Sequence, residues 1–228
     1  MHLLAILSPE GLPARLEGQP DSSADVLVIL PVADRWQTLF EEERRALPSR
    51  HEGRRQSYAS ARTCAHIAQC ELGLPKAPVG RSDRGAPLWP DGVRGSLTHS
   101  EALAASCLTL SSRSVGIDIE HTGRMSPCVA RRVLTDEELS RLDLDAPAGL
   151  DEATLLFSAK EAVYKAIFPI AGLYIGYQEV TLNVDASAQR FSARYLGSDT
   201  SNTPLTGGEG EYWRIGHAVL CKFTVALP

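Results

Sequence analysis

Apolar and polar residues alternate along the chain in two patterns, and each pattern predicts one kind of element. Short, nearly continuous apolar runs predict strands, at residues 26–30, 103–110, 114–120, 177–184, 190–196, 212–215 and 218–226. Apolar residues three and four positions apart predict helices, at residues 35–47, 52–72 and 151–168. Two shorter helices are predicted within residues 127–142, the second opened by a capping box of Thr135 with Glu138.

Each half of the sequence combines long helical segments with short strands of the antiparallel kind. This mixture predicts the α+β class, with an N-terminal lobe at residues 1–113 and a C-terminal lobe at residues 114–228. Each lobe is expected to pack helices on a small, mainly antiparallel sheet. We expect the active site in the cleft between the two lobes.

The strand at residues 114–120 ends in two carboxylates one residue apart, Asp118 and Glu120. Side chains alternate faces along a strand, so both carboxylates should point the same way while Ile117 and Ile119 point into a core. On this prediction neither Asp118 nor Glu120 faces the core. The pair could hold a hard cation, or it could be a charged strand end at solvent.

A predicted helix later in the chain favours the cation site. Glu161 and Lys165 are four residues apart and therefore share one helical face. A third carboxylate and a lysine can thus meet Asp118 and Glu120. Asp151 is predicted to cap this helix and Pro169 to end it.

The helix predicted at residues 52–72 carries three arginines, Arg54, Arg55 and Arg62. They could form a solvated basic face or a phosphate clamp, since arginine presents forked donors to phosphate oxygens. Arg55 and Arg62 are seven residues apart and lie on nearly one line. Arg54 is rotated by about 80° from Arg62 at 3.6 residues per turn.

A loop rich in glycine and proline follows, from Leu74 to Gly95, with Arg81, Asp83 and Arg84 at a predicted turn. A loop of this length in a compact domain is usually functional. It leads to Thr98 and His99. A lone histidine is more often structural, but His99 at the mouth of such a loop could donate to a phosphate.

The composition narrows the classes of partner. The 228 residues carry a net charge of −5, which argues against broad binding to nucleic acid or to an anionic membrane. Local basic clusters could still bind a phosphorylated ligand. The five cysteines contain no C-x-x-C pair and fit a reducing cytoplasm better than disulfides or zinc. The opening apolar run lacks a basic region before it and is predicted to be a strand.

Several motifs, in this order, resemble the Sfp-type and EntD-like 4′-phosphopantetheinyl transferases. The matching segments are Arg54-Arg55 with Tyr58 and Arg62, Gly85 to Val93, Gly95 to Ser100, Gly116 to Glu120, and Phe157 to Ala166. The resemblance implies a pseudo-twofold pair of α+β lobes. It also implies an enzyme that transfers phosphopantetheine from coenzyme A to a serine of an apo acyl or peptidyl carrier protein, leaving adenosine 3′,5′-bisphosphate.

The resemblance implies Mg²⁺ as the metal, with Mn²⁺ as a substitute, and coenzyme A as co-substrate. It implies that Asp118, Glu120, Glu161 and the Ile119 carbonyl hold the metal. The implied catalytic residues are Asp118, Glu161 and Lys165. The implied cofactor-binding residues are Arg54, Arg62, Arg81, Ser82, Asp83, Arg84, Thr98, His99, Asp118, Lys160, Glu161, Lys165 and Tyr174. We expect a cytoplasmic monomer without nucleic-acid or membrane partners.

Within these roles, Lys165 is expected on the α-phosphate side, and Arg54, Arg62 and Arg81 on the 3′-phosphate. Arg54 is favoured by its place in the motif, whereas Arg55 is favoured by its helical face. Thr98 and His99 are expected at the phosphates and Tyr174 beside the cofactor.

Some roles stay open at this point. Glu161 could remove the proton of the carrier serine directly or through a metal-bound water. Lys160 could instead stabilise the leaving group. Two other functions use some of the same residues, a Mg²⁺-dependent phosphohydrolase and a non-catalytic module that binds coenzyme A. The binding module would not need both the carboxylates and the helix that carries Lys160, Glu161 and Lys165.

Overall fold

The computed structural model describes residues 2–5, 14–15, 25–47, 51–172, 174–197, 205 and 207–227. The chain divides into two compact units, one ending at Ser112 and the other beginning at Arg113. Each unit combines helices with a mainly antiparallel sheet, which confirms the predicted α+β class. In the described part of the chain, no helix is long and apolar enough to cross a membrane.

The N-terminal unit is built on a five-stranded sheet. Its elements are β1 (His2–Ala5), β2 (Ala14–Arg15), β3 (Val26–Pro31), α1 (Glu41–Ala46), α2 (Glu52–Glu71), β4 (Gly80–Arg81), β5 (Pro87–Leu88), β6 (Arg94–His99) and β7 (Leu103–Thr109). The sheet order is β2-β1-β3-β7-β6, and β1 and β3 are parallel whereas the other neighbours are antiparallel. β4 and β5 form a separate short ladder.

The core of this unit lies between α2 and the sheet. Small residues on α2, such as Ala61, Cys64 and Ala68, pack on Val28 and Leu30 of β3. The helix therefore lies close to the strands. Its predicted bounds are confirmed to within one residue, and Gly73 follows it with a φ of 73°.

The prediction of a helix at residues 35–47 is wrong for the first half of that range. The chain forms a 3₁₀ turn at Trp36–Thr38 and begins α1 only after Phe40, which is extended. The Phe40 N–H donates to the Glu43 carboxylate at 3.0 Å, so the side chain of Glu43 satisfies a backbone donor at the start of α1.

The C-terminal unit is a five-stranded antiparallel sheet with one long helix. Its elements are β8 (Arg113–His121), α3 (Pro127–Val133), α4 (Asp136–Leu139), α5 (Pro147–Ala171), β9 (Val180–Asp185), β10 (Arg190–Tyr195), β11 (Glu209–Ile215) and β12 (Ala218–Ala226). The sheet order is β8-β12-β11-β10-β9. The predicted capping box of Thr135 and Glu138 opens α4.

α5 is longer than predicted at both ends. It begins at Pro147 rather than at Asp151, whose carboxylate instead accepts the Gly123 N–H at 3.1 Å. It also continues past Pro169 to Ala171, because a proline this near the end of a helix removes only one hydrogen bond of the last turn. Gly172 then ends the helix with a φ of 63°.

β8 is covered on both faces. Ile117 and Ile119 are fully buried, as predicted. The opposite face is also buried, because Ser114 donates to the Ala166 carbonyl of α5 at 2.6 Å and Asp118 retains only 5% of its exposure. The prediction that Asp118 does not face the core is therefore wrong.

Gly116 permits this close packing. A Cβ added there would lie 2.0 Å from the Ala162 carbonyl oxygen and 2.4 Å from the Ala166 nitrogen. Both contacts are with backbone atoms of α5, which cannot turn away as a side chain would. Only a residue without a side chain allows helix and strand to approach so closely.

We expect Gly116→Ala to lower the free energy of unfolding by about 3 kcal/mol, the upper end of the usual cost of overpacking, because α5 must shift to relieve the overlap. Urea denaturation followed by circular dichroism measures this loss. Gly53→Ala is the matched control, since a Cβ at Gly53 meets nothing within 4 Å. It should alter stability by less than about 1 kcal/mol. Equal stability of the two variants would contradict the packing argument.

Candidate functional site

The end of β8 and the middle of α5 bring together four side chains predicted for the site. Lys165 Nζ donates to Asp118 Oδ1 at 2.7 Å, across the contact made possible by Gly116. The Asp118 side chain is 6% exposed and that of Lys165 is 28% exposed. The ion pair therefore has a buried acidic side and a basic side that reaches solvent.

Glu120 lies in the same negative environment. The pKa of Glu120 is raised to about 7, chiefly by burial and also by the charges of Asp118 and Glu161, while Lys165 and Arg124 oppose the change. Three carboxylates are thus close enough to repel one another. Such a group is stabilised by positive charge brought near it.

Glu161 is held by a residue that the sequence did not indicate. The Tyr177 hydroxyl, from the 3₁₀ turn at Tyr177–Glu179, donates to Glu161 Oε1. Burial and this hydrogen bond raise the pKa of Tyr177, so the phenol stays protonated and acts as a donor. Nothing in the spacing of residues links position 177 to position 161, because the contact depends on the return of the chain after α5.

The described residues hold no preassembled metal centre, since no three His, Cys, Asp or Glu side chains among them are grouped as ligands. Asp118 is turned to Lys165 and Glu161 to Tyr177. The Ile119 side chain is fully buried and has no donor atom, so the predicted contribution of Ile119 to the metal site is that of its backbone carbonyl.

Lys160 is differently placed from Lys165. Its ammonium donates to the Val133 carbonyl at 3.0 Å and to the Tyr177 carbonyl at 2.8 Å, and it pairs with Glu138 Oε2 at 2.7 Å. A lysine has three donors, and here all three have acceptors. Burial lowers the pKa of Lys160, while Glu138 favours its charged form.

The Lys160 side chain is 1% exposed and has no donor left for a ligand. These contacts indicate a structural role for Lys160, and the expected contact with the cofactor or the leaving group would require one of them to be exchanged. Glu138, its partner, also accepts the Thr135 N–H at 2.8 Å and the Leu182 N–H at 2.9 Å. This network ties α5 to α4 and β9. The capping box identified Glu138 in the sequence, but not its contact with Lys160.

A pocket of about 90 Å³ opens beside Glu161. Its walls are mostly aromatic and aliphatic, and they comprise Lys160, Glu161, Val163, Tyr164, Tyr174, Ile175, Gly176, Tyr177 and Val180. Tyr174 is 75% exposed and contacts the ring of Tyr164 edge-on, with centroids 5.6 Å apart. The structure thus places Tyr174 at the rim of this pocket.

In the N-terminal unit, two of the predicted arginines lie over aromatic rings. The Arg62 guanidinium is 3.4 Å from the centroid of Tyr58, and that of Arg55 is 4.2 Å from the centroid of Trp36. Arg62 is only 6% exposed, and its Nε has no hydrogen-bond partner among the described residues. Arg54 is exposed in the first turn of α2.

Arg81 lies near Arg62. Burial lowers the pKa of Arg62, and the charge of Arg81 lowers it further, while Tyr58 and Glu43 favour the charged form. The charge of Arg81 thus acts on Arg62, and the two cations together create a local positive field that suits an anion.

The remaining residues predicted for this unit flank Arg81 or lie on β6. The Ser82 hydroxyl accepts the Ala86 N–H at 3.0 Å and so forms the turn between β4 and β5. Asp83 and Arg84 are exposed at this turn. On β6, Thr98 is buried and His99 is exposed.

Comparisons with known proteins support one family. A family model described as the 4′-phosphopantetheinyl transferase N-terminal domain matches residues 42–109, and one described as the 4′-phosphopantetheinyl transferase superfamily matches residues 114–215. The chain is 39% identical over 203 residues to 4′-phosphopantetheinyl transferase Svp of Streptomyces mobaraensis, covering 83% of this chain and 80% of that protein.

Two further relatives extend this result. 4′-Phosphopantetheinyl transferase PptT of Mycobacterium tuberculosis is 36% identical over 167 residues, which is 70% of this chain and 74% of that protein. Enterobactin synthase component D of Salmonella typhi is 37% identical over 121 residues, which is 50% of this chain and 48% of that protein.

The structural role of Lys160 predicts a loss of stability on its removal. Lys160→Met should lower the free energy of unfolding by about 3–5 kcal/mol, because Glu138 would remain buried without its partner. Chemical denaturation measures this change, and the exposed Lys76→Met is the control that should leave the midpoint unaltered. A Lys160→Met protein as stable as the wild type would contradict the assignment.

Proposed function

Since the chain belongs to the 4′-phosphopantetheinyl transferase superfamily and transfers phosphopantetheine to carrier proteins, we propose that coenzyme A is its donor. The group passes to a serine of an apo acyl or peptidyl carrier protein, and adenosine 3′,5′-bisphosphate is released. The observation that carries this proposal is the grouping of Asp118, Glu120, Glu161 and Lys165 at the contact between β8 and α5.

The donor set fits a hard divalent cation. Asp118, Glu120 and Glu161 are oxygen donors, and the charges of Asp118 and Glu161 add to burial in raising the pKa of Glu120. We propose that these carboxylates and the Ile119 carbonyl hold Mg²⁺, with Mn²⁺ as a substitute. A bound Mg²⁺ supplies electrostatic stabilisation to the oxygens of a pyrophosphate under attack.

Lys165 and Glu161 have separate roles in this proposal. The Lys165 ammonium reaches solvent on one side and could turn from Asp118 to an oxygen of the α-phosphate, where negative charge increases during transfer. Glu161 accepts the proton of the carrier serine, directly or through a water molecule. Tyr177 keeps the Glu161 carboxylate in one orientation by its hydrogen bond.

The basic cluster of the N-terminal unit is the proposed site for the 3′-phosphate of coenzyme A. Arg62 is buried with an unused Nε donor and has Arg81 near it. Arg54 or Arg55 completes the clamp. Arg55, like Arg62, lies over an aromatic ring, whereas Arg54 is favoured by its place in the motif.

The other predicted cofactor-binding residues remain part of the proposal. Ser82, Asp83 and Arg84 belong to the turn beside Arg81, and Thr98 and His99 are proposed to bind phosphate. Tyr174 offers an exposed ring beside the pocket next to Glu161, which suits an uncharged part of the donor.

We propose that the protein acts as a monomer and that its partner is an apo carrier protein. Acyl and peptidyl carriers are both proposed, as the family resemblance implies. No disulfide links the five cysteines, all of which lie in the described part of the chain, and this suits the proposed cytoplasmic location.

Incubation with coenzyme A and a panel of apo carrier proteins tests the function, with the mass of each carrier as the readout. We expect transfer that stops when a chelator removes divalent ions and returns when Mg²⁺ is added. Full activity in chelator would contradict the metal assignment. Loss of coenzyme A without a change in carrier mass would indicate hydrolysis instead of transfer.

Within this assay, Glu161→Gln should lower kcat by about 10²-fold or more, as expected for loss of a general base. The conservative change keeps an acceptor for the Tyr177 hydroxyl, so the fold should be retained. Glu152→Gln on the same helix is the control, because Glu152 pairs with Arg214 at the surface. It should leave kcat unchanged.

The arginine clamp predicts a selective loss in Arg62→Ala. Coenzyme A and dephospho-coenzyme A differ by the 3′-phosphate, and a hydrogen bond to a charged group contributes about 1.5–3 kcal/mol. The variant should therefore lose about 10- to 100-fold in kcat/KM with coenzyme A and little with dephospho-coenzyme A. Equal losses with both donors would show that Arg62 does not bind the 3′-phosphate.

A further inference from the structure

Glu43, which the motifs did not single out, lies at the centre of the contacts that hold the basic cluster. Its side chain is fully buried. Its carboxylate accepts the Phe40 N–H at 3.0 Å and the Val79 N–H at 2.8 Å, and His66 Nε2 lies 2.9 Å from Oε1. α1, α2 and the segment before β4 therefore meet at one carboxylate.

Glu43 is ionised at neutral pH. Burial alone would raise the pKa of Glu43, but the hydrogen bonds from His66, Val79 and Phe40 outweigh burial and lower it. Since an ionised carboxylate only accepts hydrogen bonds, His66 must donate from Nε2. All the contacts therefore favour one orientation of the Glu43 side chain.

Two chains of contact lead from Glu43 to the two arginines. Val79 is two residues before Arg81, so its hydrogen bond to Glu43 fixes the start of β4. On the other side, the Tyr58 hydroxyl donates to the main-chain carbonyl of Glu43 at 2.9 Å, and the Tyr58 ring lies under Arg62. One residue thus anchors the main chain at the start of β4 and the ring that underlies the Arg62 guanidinium.

The buried charge of Glu43 also favours the charged form of Arg62, against burial and against Arg81. Without Glu43, the buried Arg62 would face the like charge of the exposed Arg81 with no carboxylate to favour its charged form, and the two guanidinium groups would repel each other. They would be expected to move apart towards solvent. A pair of arginines that has moved apart no longer matches the spacing of phosphate oxygens.

We propose that Glu43 is a positioning residue that holds Arg62 and Arg81 at the spacing of a phosphate group, and so sets the preference for a donor with a 3′-phosphate. This inference rests on the proposed function and adds a residue that does not itself touch the donor. Tyr58 carries the effect to Arg62, and Val79 carries it to Arg81.

Glu43→Gln and Tyr58→Phe test the inference, with KM and kcat measured for coenzyme A and for dephospho-coenzyme A. Tyr58→Phe removes one hydroxyl and keeps the ring under Arg62, so it tests the link should Glu43→Gln fail to fold. We expect each variant to raise KM for coenzyme A about 10-fold, with kcat and both constants for dephospho-coenzyme A little changed.

The matched control is Glu42→Gln, one residue away and exposed on the same helix, which should leave all constants unaltered. A purely structural role would lower the active fraction and hence kcat equally with both donors, and that result would overturn the inference. Unaltered KM values in Tyr58→Phe would also overturn it.

The Arg62→Ala measurement tests the proposed phosphate site separately from the proposed role of Glu43. If Arg62→Ala lowers kcat/KM selectively with coenzyme A but Glu43→Gln does not raise KM for coenzyme A, the phosphate site is supported and the proposed role of Glu43 is wrong. If the wild type does not prefer coenzyme A over dephospho-coenzyme A, the proposed phosphate site itself is wrong.

Discussion

The close approach of α5 to β8 at Gly116 is the contact on which the proposed catalytic site depends. It brings Lys165 within hydrogen-bonding distance of Asp118 although the two residues lie 47 positions apart in sequence. The geometry leaves room for no side chain at position 116. The separation between the acidic strand and the basic helix face is therefore determined by the backbone, and not by flexible side chains.

Features that depend on local periodicity were mostly predictable from the sequence. Alternation along β8 and the spacing on α5 identified Asp118, Glu120, Glu161 and Lys165, because period and facing are properties of a single element. The burial of Asp118 was not predicted, because the same alternation cannot show that a second layer covers the face opposite Ile117. Burial on both faces depends on the partner helix.

The errors have the same origin. Arg35 to Leu47 has a helical pattern, yet Glu43 caps the chain at Phe40 and is held there by Val79 and His66, which are distant in sequence. Pattern analysis detects neither such contacts nor that of Tyr177 with Glu161. Lys160 is expected at the cofactor from the family resemblance, and the motif does not indicate its three acceptors, which come from Glu138, Val133 and Tyr177.

The two lysines of α5 illustrate how one helix can carry two unrelated requirements. Lys160 fixes the rotation of the helix about its axis, and Lys165 is presented to solvent because that rotation is fixed. Selection for activity alone would retain both residues with equal strictness. Invariance among relatives, or inactivity in a growth screen, would therefore suggest that Lys160 takes part in the reaction. Only the amount of folded protein would distinguish Lys160, which stabilises the helix, from Lys165, which is proposed to contact the substrate.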